Sequence, residues 1–332
     1  MSRVSRYGFI LAKVYGIMAR SFVGKNYHDL FRLKKVTELY DLLYPGQRAE
    51  TPGQNLPVEL EERIVASGIQ AMIYVLDSLG EPVPLLVHVL RKLEYQNVKT
   101  AVRMVVNGRT EDVRLWDLGA YAGVRWTGQE NREKALKASP YAWTLPLLKT
   151  MPLVQIENAL DRDYYTRCVQ LAEALPSKDR PGVLRLIRTE ITIANALWAL
   201  RLRFFFGMDA EKARGFLIPP VRGDSSRQAI TRAFEIPPDA VEEWRKWKLG
   251  WLLEDQLNES FRAPDPVRAE RKAAQVLYTR AHQLFHQRPF TLCPLVAYFT
   301  LKEQEVLLLK TAVEALHLSV PEQDVMSIVG AT

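Results

Sequence analysis

The stretch PFTLCPLVAYFTLKEQEVLLLKTAVEALHLSVPEQDVMSIVG, from Pro289 to Gly330, decides the fold class of this chain. Apolar residues recur in it at intervals of three and four, the pattern of an α-helix that buries one face. The members of this stripe are Leu295, Phe299, Val306, Leu309, Val313 and Leu316. Pro294 suits the first turn of such a helix, where the N–H that proline lacks has no helical partner. Ser319 and Glu322 have the spacing of a capping box, so we expect a second, short helix after His317.

Helical patterns also fill most of the remaining chain. They are expected over residues 4–21, up to residue 43, and over 59–79, 84–107, 181–207 and 266–286, with another helix beginning at Pro237. Gly108 suits the C-cap of one of these helices, and Asp209 suits the N-cap of a short helix. Alternating apolar runs bounded by Asn-Gly or Asp-Gly turns do not occur, and neither does the spacing of βαβ units. The sequence therefore predicts an all-α fold.

The composition is that of a soluble globular protein, with 48% hydrophobic and 25% charged residues in a chain of 332. Lys and Arg outnumber Asp and Glu by 45 to 38. The formal charge of +7 permits nucleic acid, lipid headgroups or an acidic protein surface as partner, without choosing among them. Two cysteines, Cys168 and Cys293, exclude a disulfide framework and indicate a reducing compartment. The longest uncharged runs, 64–76 and 289–301, are shorter than the roughly 18 residues of a membrane-spanning helix.

A pattern near the ends of the long helices indicates an internal repeat. The first copy consists of Glu94, Asn97, Arg103 and Gly108, and the second of Glu190, Asn195, Arg201 and Gly207. In both, Arg lies six positions after Asn, and Gly follows Asn by 11 or 12 positions. The third copy keeps the acid at Glu305, has Leu308 in place of Asn and has Lys310 in place of Arg.

Three copies predict three similar helical lobes, at residues 1–118, 119–220 and 221–332. The alternative is that any long helix ending at a glycine would show a similar pattern. An amide on a buried helix face needs partners, because an unpaired polar group costs about 1–3 kcal/mol. We therefore expect Asn97 and Asn195 to bond neighbouring backbone, which is a structural role.

Motifs for catalysis and for cofactors are lacking. Around Gly24-Lys25 the phosphate-loop pattern is incomplete, and no GxSxG elbow surrounds Ser225 or Ser226. His282 and His286 are four positions apart on a predicted helix and could offer two nitrogens to one metal ion, but no third ligand follows at a telling distance. We accordingly predict no catalytic, cofactor-binding or metal-binding residue.

Three tryptophans form the remaining notable pattern. Trp244, Trp247 and Trp251 recur at i, i+3 and i+7 and would share one face of a helix, with basic side chains elsewhere around it. Such a helix could stack nucleobases or lie at a lipid interface. The competing interpretation is a stripe of core residues opposite a solvated basic face.

Two runs resemble a known family. Cys293–Tyr298 (CPLVAY) followed by Lys302–Glu305 (KEQE) is similar to the C-terminal signature of the C subunits of V-type and A-type ATPases (ATP synthases), the counterparts of the d subunit of the eukaryotic V-ATPase. The repeated Asn and Arg are also similar to that family. Two departures, Leu11-Ala12-Lys13 for Asn-Ala-Arg and Leu308-Leu309-Lys310 for Asn-Leu-Arg, indicate a divergent member.

The resemblance implies an all-helical funnel of three similar lobes and no bond chemistry. Such a protein is a rotor adaptor that is cytoplasmic and peripheral to the membrane. It would seat the central shaft, made of D- and F-type subunits, on the membrane proteolipid ring, and would couple ATP turnover or ATP synthesis to ion transport. Within its signature, Lys302 interrupts the apolar stripe and would pair with Glu303 or Glu305. Trp244, Trp247 and Trp251 are candidates for contact on the ring side.

The resemblance implies no nucleic-acid partner. The alternative function is a helical nucleic-acid-binding protein or another scaffold protein, which depends on the basic surplus and on the tryptophan helix.

Overall fold

A computed structural model gives the fold of the chain. It describes residues 3–24, 28–50, 53, 55–108, 113–126, 132–219, 221 and 226–320. The predicted short helix after Ser319, with its partner in the capping box, Glu322, lies outside the described residues.

The described residues form α-helices joined by turns and irregular segments. In chain order the helices are α1 Arg3–Met18, α2 His28–Phe31, α3 Val36–Leu43, α4 Leu56–Asp77, α5 Pro84–Leu90, α6 Lys92–Asn107, α7 Arg132–Lys137, α8 Thr144–Leu147, α9 Leu153–Glu173, α10 Arg180–Phe204, α11 Ala210–Ala213, α12 Ser226–Arg232, α13 Val241–Lys246, α14 Pro266–Gln287 and α15 Cys293–His317. Short 3₁₀ helices cover Gly119–Tyr121 and Gly250–Leu253. No β-strand occurs in this described part, so the prediction of an all-α fold is confirmed.

Several of these helices begin or end with the caps that the sequence predicts. Gly108 closes α6 in the left-handed conformation, which glycine adopts without a steric penalty. The carboxylate of Asp209 accepts from the N–H of Lys212 at 2.8 Å and so caps α11. Pro294 lies in the first turn of α15, as its missing N–H allows.

Three segments differ from the sequence-based expectation. The helix expected over 84–107 is divided at Arg91 into α5 and α6. The 21-residue helix α9 was not predicted, because its apolar residues are interrupted by many charged ones. The helix expected from Pro237 begins only at Val241 and is six residues long.

The chain forms two compact units, one of residues 1–81 with 267–332 and one of residues 82–266. They are called here the terminal unit and the central unit. The division into three similar lobes at residues 118 and 220, and the funnel that these lobes would form, stay predictions.

The terminal unit is built around α15. Every residue from Cys293 to Leu301 is buried, so the first half of this helix is covered on all sides rather than along one stripe. α15 packs against α4, where the Tyr298 hydroxyl donates to the Ala71 carbonyl oxygen at 3.4 Å. Its second half joins a cluster with α2, α3 and α4 that comprises Leu30, Leu39, Tyr40, Leu56, Leu60, Ile64, Leu309, Ala312 and Val313.

The central unit is organised around α9, which packs between α6 and α10. Lys99 pairs with Asp161 at 2.6 Å, and Tyr95 donates to Asp163 at 2.6 Å, which fixes α6 antiparallel to α9. A link of six residues then returns the chain from α9 into α10. As a result α6 and α10 run in the same direction.

Candidate functional site

The first repeated asparagine holds a segment that follows its own helix. Asn97 is buried on α6, and its Nδ2 donates to the Trp116 carbonyl oxygen at 2.7 Å. Its Oδ1 accepts from the Trp116 N–H at 2.8 Å. Both polar groups of one backbone residue are thereby satisfied by one side-chain amide, as the sequence led us to expect.

The second repeated asparagine makes the same pair of bonds. Asn195 on α10 donates to the Ile218 carbonyl oxygen at 2.9 Å and accepts from the Ile218 N–H at 2.7 Å. Asn158, on the neighbouring α9, donates to the carbonyl oxygen of Phe216 at 2.7 Å. Two asparagines on adjacent helices thus hold one returning segment, although Asn158 was not singled out from the sequence.

The first repeated acid, Glu94, is buried and accepts several hydrogen bonds. Its Oε1 accepts from the N–H groups of Gly123 and Val124, the latter at 2.8 Å, and its Oε2 accepts from the Tyr141 hydroxyl at 2.9 Å. Burial and the neighbouring carboxylate raise the pKa of Tyr141, so the phenol stays a donor. Arg91 Nε lies 3.9 Å from the carboxylate and balances part of its charge.

The third copy repeats this role of the acid. Glu305 is buried on α15, and its Oε1 accepts from the Phe22 N–H at 2.8 Å. Its Oε2 pairs with Lys302, so the charge inside the apolar stripe has the partner suggested by the sequence. Lys310, in the position of the repeated arginine, pairs at 3.3 Å with Glu61 of α4.

The second copy does not place an acid in the same register. Glu94 and Glu305 lie three positions before Asn97 and Leu308, whereas three positions before Asn195 stands Thr192. Glu190 is half-buried on α10, two residues further from the asparagine. The repeat therefore keeps its buried acid in the first and third copies.

The repeated basic residues differ in their surroundings. Arg103 forms a two-bond pair with Glu157 of α9, at 2.5 and 2.8 Å, and this carboxylate raises the pKa of the guanidinium. Arg201 is half-buried in the last turns of α10. Two residues later, Arg203 donates to the carbonyl oxygens of Ala233 and Ile236.

Each long helix of the repeat ends in the same backbone conformation. Gly108, Gly207 and Ser319 follow α6, α10 and α15 with φ of +60°, +61° and +53°. They stand 11, 12 and 11 positions after Asn97, Asn195 and Leu308. Shortly before each of them the chain exposes large apolar side chains, which are Val106, the pair Phe205 and Phe206, and Leu318.

The prediction that the three tryptophans share one face of a helix is wrong. α13 ends before Trp247, whose ψ of 133° is extended, so Trp244 and Trp247 belong to no common helix. The turn that follows requires glycine at position 250, since a Cβ there would collide with the Trp244 carbonyl oxygen. Trp251 lies in the following 3₁₀ helix and is half-buried.

Burial also assigns the two leading tryptophans to the core. Trp244 is fully buried and donates from Nε1 to the Pro237 carbonyl oxygen at 3.0 Å. Trp247 is buried and donates to the Ala229 carbonyl oxygen at 2.6 Å. Neither ring is open to a lipid headgroup or a nucleobase, so the core interpretation holds for both.

The histidine pair of α14 is exposed, and its ring centroids are 4.7 Å apart. The partial loss of solvent around the ring and the neighbouring His286 lower the pKa of His282. Within the described ranges, no group of three or more His, Cys, Asp or Glu side chains could hold a metal ion. Across the same ranges, no helix is both long enough and apolar enough to cross a membrane.

Comparison with known proteins identifies the family of the chain. The family model for the ATP synthase (C/AC39) subunit matches residues 10–328, nearly the whole chain. The chain belongs to this family. The resemblance found in the C-terminal signature is therefore confirmed, and C/AC39 proteins are accessory subunits of V/A-type ATP synthases.

Relatives of this C/AC39 protein come from bacteria and archaea. An uncharacterized protein of Treponema pallidum (strain Nichols) is 25% identical over 320 residues, which is 93% of this chain and 92% of that protein. The C subunit of the A-type ATP synthase of Halobacterium salinarum (strain ATCC 29341 / DSM 671 / R1) is 28% identical over 156 residues, 46% of this chain and 44% of its own length. That of Methanosarcina barkeri (strain Fusaro / DSM 804) is 30% identical over 133 residues, 37% of each chain. These two archaeal alignments cover less than half of each relative.

Proposed function

We propose that this C/AC39 protein is a non-catalytic rotor adaptor of a V/A-type ATPase. It seats the central shaft of D- and F-type subunits on the membrane proteolipid ring and transmits torque between ATP turnover and ion transport. It would act at the cytoplasmic face of the membrane, attached peripherally through the complex. The observation that carries this proposal is the family match over residues 10–328.

The internal contacts suit a part that passes torque without deforming. The buried polar side chains of the repeat are bonded to the chain itself, as in the pairs Asn97–Trp116 and Asn195–Ile218 and in the pair Glu305–Phe22. Satisfied polar networks in a low-dielectric interior rigidify their surroundings. These bonds fix segments outside the long helices against them, and a coupling element between two rotating parts requires such fixed internal contacts.

Two of the tryptophans that suggested a nucleic-acid-binding protein are inaccessible to bases. Aromatic stacking of bases needs accessible ring faces, and Trp244 and Trp247 are buried in the core. What remains is the half-buried Trp251 and the formal charge of +7, which favours any anionic partner equally.

The test is reconstitution of the purified chain with each expected partner. The chain should co-elute with the D- and F-type shaft subunits in size-exclusion chromatography, and separately with a detergent-solubilised proteolipid ring. Binding to neither would overturn the proposal, as would salt-sensitive retention on DNA or RNA in the absence of both.

A further inference from the structure

The end of α14 carries two exposed histidines, one helical turn apart. His282 and His286 stand at i and i+4, so their side chains lie on the same face of the helix, one above the other. Their ring centroids are 4.7 Å apart, and the ring planes are inclined by 62°. Both residues are exposed, so an ion in solution can reach the two rings without any opening of the fold.

The separation of the two rings fits two ligands of one metal ion. A metal–nitrogen distance of about 2.0–2.1 Å places the centre of an imidazole ring roughly 3.2 Å from the ion. Two such rings that meet at the ion with an angle of about 90–109° have centroids about 4.5–5.2 Å apart. The observed 4.7 Å lies inside this range, so a shared ion requires rotation of the rings and no movement of the backbone.

The backbone between the two histidines is anchored on the opposite face of the helix. Leu284 and Phe285 are buried, and the Tyr15 hydroxyl of α1 donates to the Phe285 carbonyl oxygen at 3.2 Å. The rings of Tyr15 and Phe285 are also in contact, with their centroids 4.7 Å apart. Because these contacts already fix the backbone, binding of an ion costs little conformational entropy beyond that of the two histidine side chains.

The surroundings of the pair determine which ions it would bind. Imidazole nitrogen is a ligand for Zn²⁺, Ni²⁺ and Cu²⁺, whereas Mg²⁺ and Ca²⁺ take oxygen ligands. The sequence has no Asp or Glu from residue 271 to residue 302, so this part of the chain offers hard cations no carboxylate. Among the described residues no third His, Cys, Asp or Glu joins the pair, which leaves the other coordination positions to water. Arg280 and Arg288 flank the pair in sequence and repel cations, so the two nitrogens have to supply the binding energy.

We propose that His282 and His286 together bind one divalent transition-metal ion of the class of Zn²⁺, Ni²⁺ and Cu²⁺. Each residue contributes one imidazole nitrogen, and the ion joins two adjacent turns at the end of α14. The sequence alone predicts no metal ligand here, because no third ligand follows at a telling distance. The structure adds the close approach of the two rings and the anchored backbone beneath them. This inference is independent of the proposed function, since neither the shaft nor the proteolipid ring takes part in it.

The test titrates the purified full-length chain with Zn²⁺ in isothermal titration calorimetry, and with Mg²⁺ as an ion that should not bind. Wild type should bind one Zn²⁺ at this site. His282→Gln should raise the Kd at least about tenfold, because the remaining imidazole loses a second ligand that is held at high effective concentration. Cu²⁺ should bind more tightly than Zn²⁺, in the order that is general for nitrogen sites. A wild-type chain that binds neither ion at about 1 mM would overturn the proposal.

Two controls distinguish binding by the pair from binding by single histidines. His317→Gln removes an exposed histidine at the end of α15 and should leave the affinity for Zn²⁺ unchanged. The double variant His286→Gln/Gln287→His keeps the number of histidines but turns the second imidazole by about 100° around the helix. It should bind Zn²⁺ as weakly as His282→Gln does. Equal affinities of wild type and this double variant would show that the two histidines do not act as a pair.

A spectroscopic measurement counts the ligands directly. In electron paramagnetic resonance, Cu²⁺ bound to wild type should show coupling to two nitrogen nuclei, and Cu²⁺ bound to His282→Gln should show coupling to one. A single coupled nitrogen in wild type would contradict a site made by both histidines. The substituted side chains are all exposed, so thermal unfolding without metal should be the same in wild type and the variants. A loss of binding in a variant would then report the loss of a ligand and not the loss of the fold.

Discussion

The side-chain amide of Asn195 forms two hydrogen bonds with one backbone residue, Ile218, at 2.9 Å to its carbonyl oxygen and 2.7 Å from its N–H. Asn97 binds Trp116 with the same two bonds, so the arrangement occurs in both copies of the repeat that have an asparagine. An amide is suited to this because it offers a donor and an acceptor side by side. In both copies the asparagine therefore holds the segment that follows its long helix against that helix.

Replacing Asn195 by leucine should destabilise the protein through the groups left behind. Leucine has a similar volume but cannot bond, so the N–H and carbonyl oxygen of Ile218 become unsatisfied at a cost of about 1–3 kcal/mol each. Urea unfolding should show this loss, while Asn107→Leu, at an exposed position, should change stability by less than about 0.5 kcal/mol. Equal effects of the two substitutions would show that the amide bonds at Asn195 contribute nothing.

The pair of Lys302 and Glu305 should show strong coupling in a double-mutant cycle. Lys302→Met leaves a buried carboxylate without its cation and should cost about 3–5 kcal/mol. Adding Glu305→Gln removes the unpaired charge and still leaves an acceptor for the Phe22 N–H, so the double variant should be more stable than Lys302→Met alone.

The control for this cycle is Lys310→Met. Its pair with Glu61 is more exposed, with 38% and 27% of the side chains accessible, so its loss should cost less than about 1 kcal/mol. Additive effects of the substitutions at Lys302 and Glu305 would contradict the pairing seen in the structure.

Stability should fall below neutral pH because of His88. This side chain is buried, its Nε2 lies 2.9 Å from the Tyr164 carbonyl oxygen, and desolvation lowers its pKa below the ordinary 6.5. The unfolded chain therefore binds a proton at higher pH than the folded protein does. The contribution of neutral His88 is fully present above pH 6.5 and is lost as the pH falls from there through the lowered pKa of the folded state.

The measurement is the free energy of unfolding between about pH 7.5 and about pH 5. His88→Gln should flatten part of this dependence, whereas His317→Gln, at the exposed end of α15, should leave it unchanged. A wild-type slope that persists in the His88 variant would assign the pH dependence to other groups.

The sequence predicts helices well where apolar periodicity and caps agree. α15, α10 and α14 lie close to their expected bounds because Pro294, Pro181 and Pro266 mark their first turns. α9 was missed because it packs on its two neighbours partly through ion pairs, such as Lys99–Asp161. Its sequence therefore has charged residues at positions where an amphipathic pattern needs apolar ones.

The tryptophan segment failed for a different reason. A spacing of three and four residues implies a common face only if the backbone stays helical. Here α13 ends at Lys246 and the backbone is extended at Trp247. The two repeated asparagines were found from spacing alone, but their partners Trp116 and Ile218 lie 19 and 23 residues away in irregular backbone. Pairing at that distance is set by tertiary packing, which leaves no periodic signal.

The contact of α4 with α15 depends on the absence of a side chain at Gly68. A Cβ at this buried glycine would lie 2.6 Å from Val306 Cγ2, which is closer than carbon atoms can approach. Alanine normally stabilises a helix relative to glycine by about 0.5–1 kcal/mol. Here the overlap should cost about 1–3 kcal/mol, so the net change in the free energy of unfolding should be destabilising. Gly68→Ala should therefore lower stability in urea unfolding. Gly16→Ala, in α1 with open space around the new methyl group, should raise it.

Shortening the opposing side chain tests whether the overlap itself is responsible. Val306→Ala alone removes partly buried methyl groups and should destabilise the protein, as large-to-small substitutions do. In the Gly68→Ala background the same change vacates the space that the new methyl group needs, so its cost should be smaller or reversed in sign. The two residues would then show a coupling energy of about 0.5 kcal/mol or more, as expected of side chains in direct contact. Strict additivity would mean that α4 and α15 are not packed as closely as the structure places them.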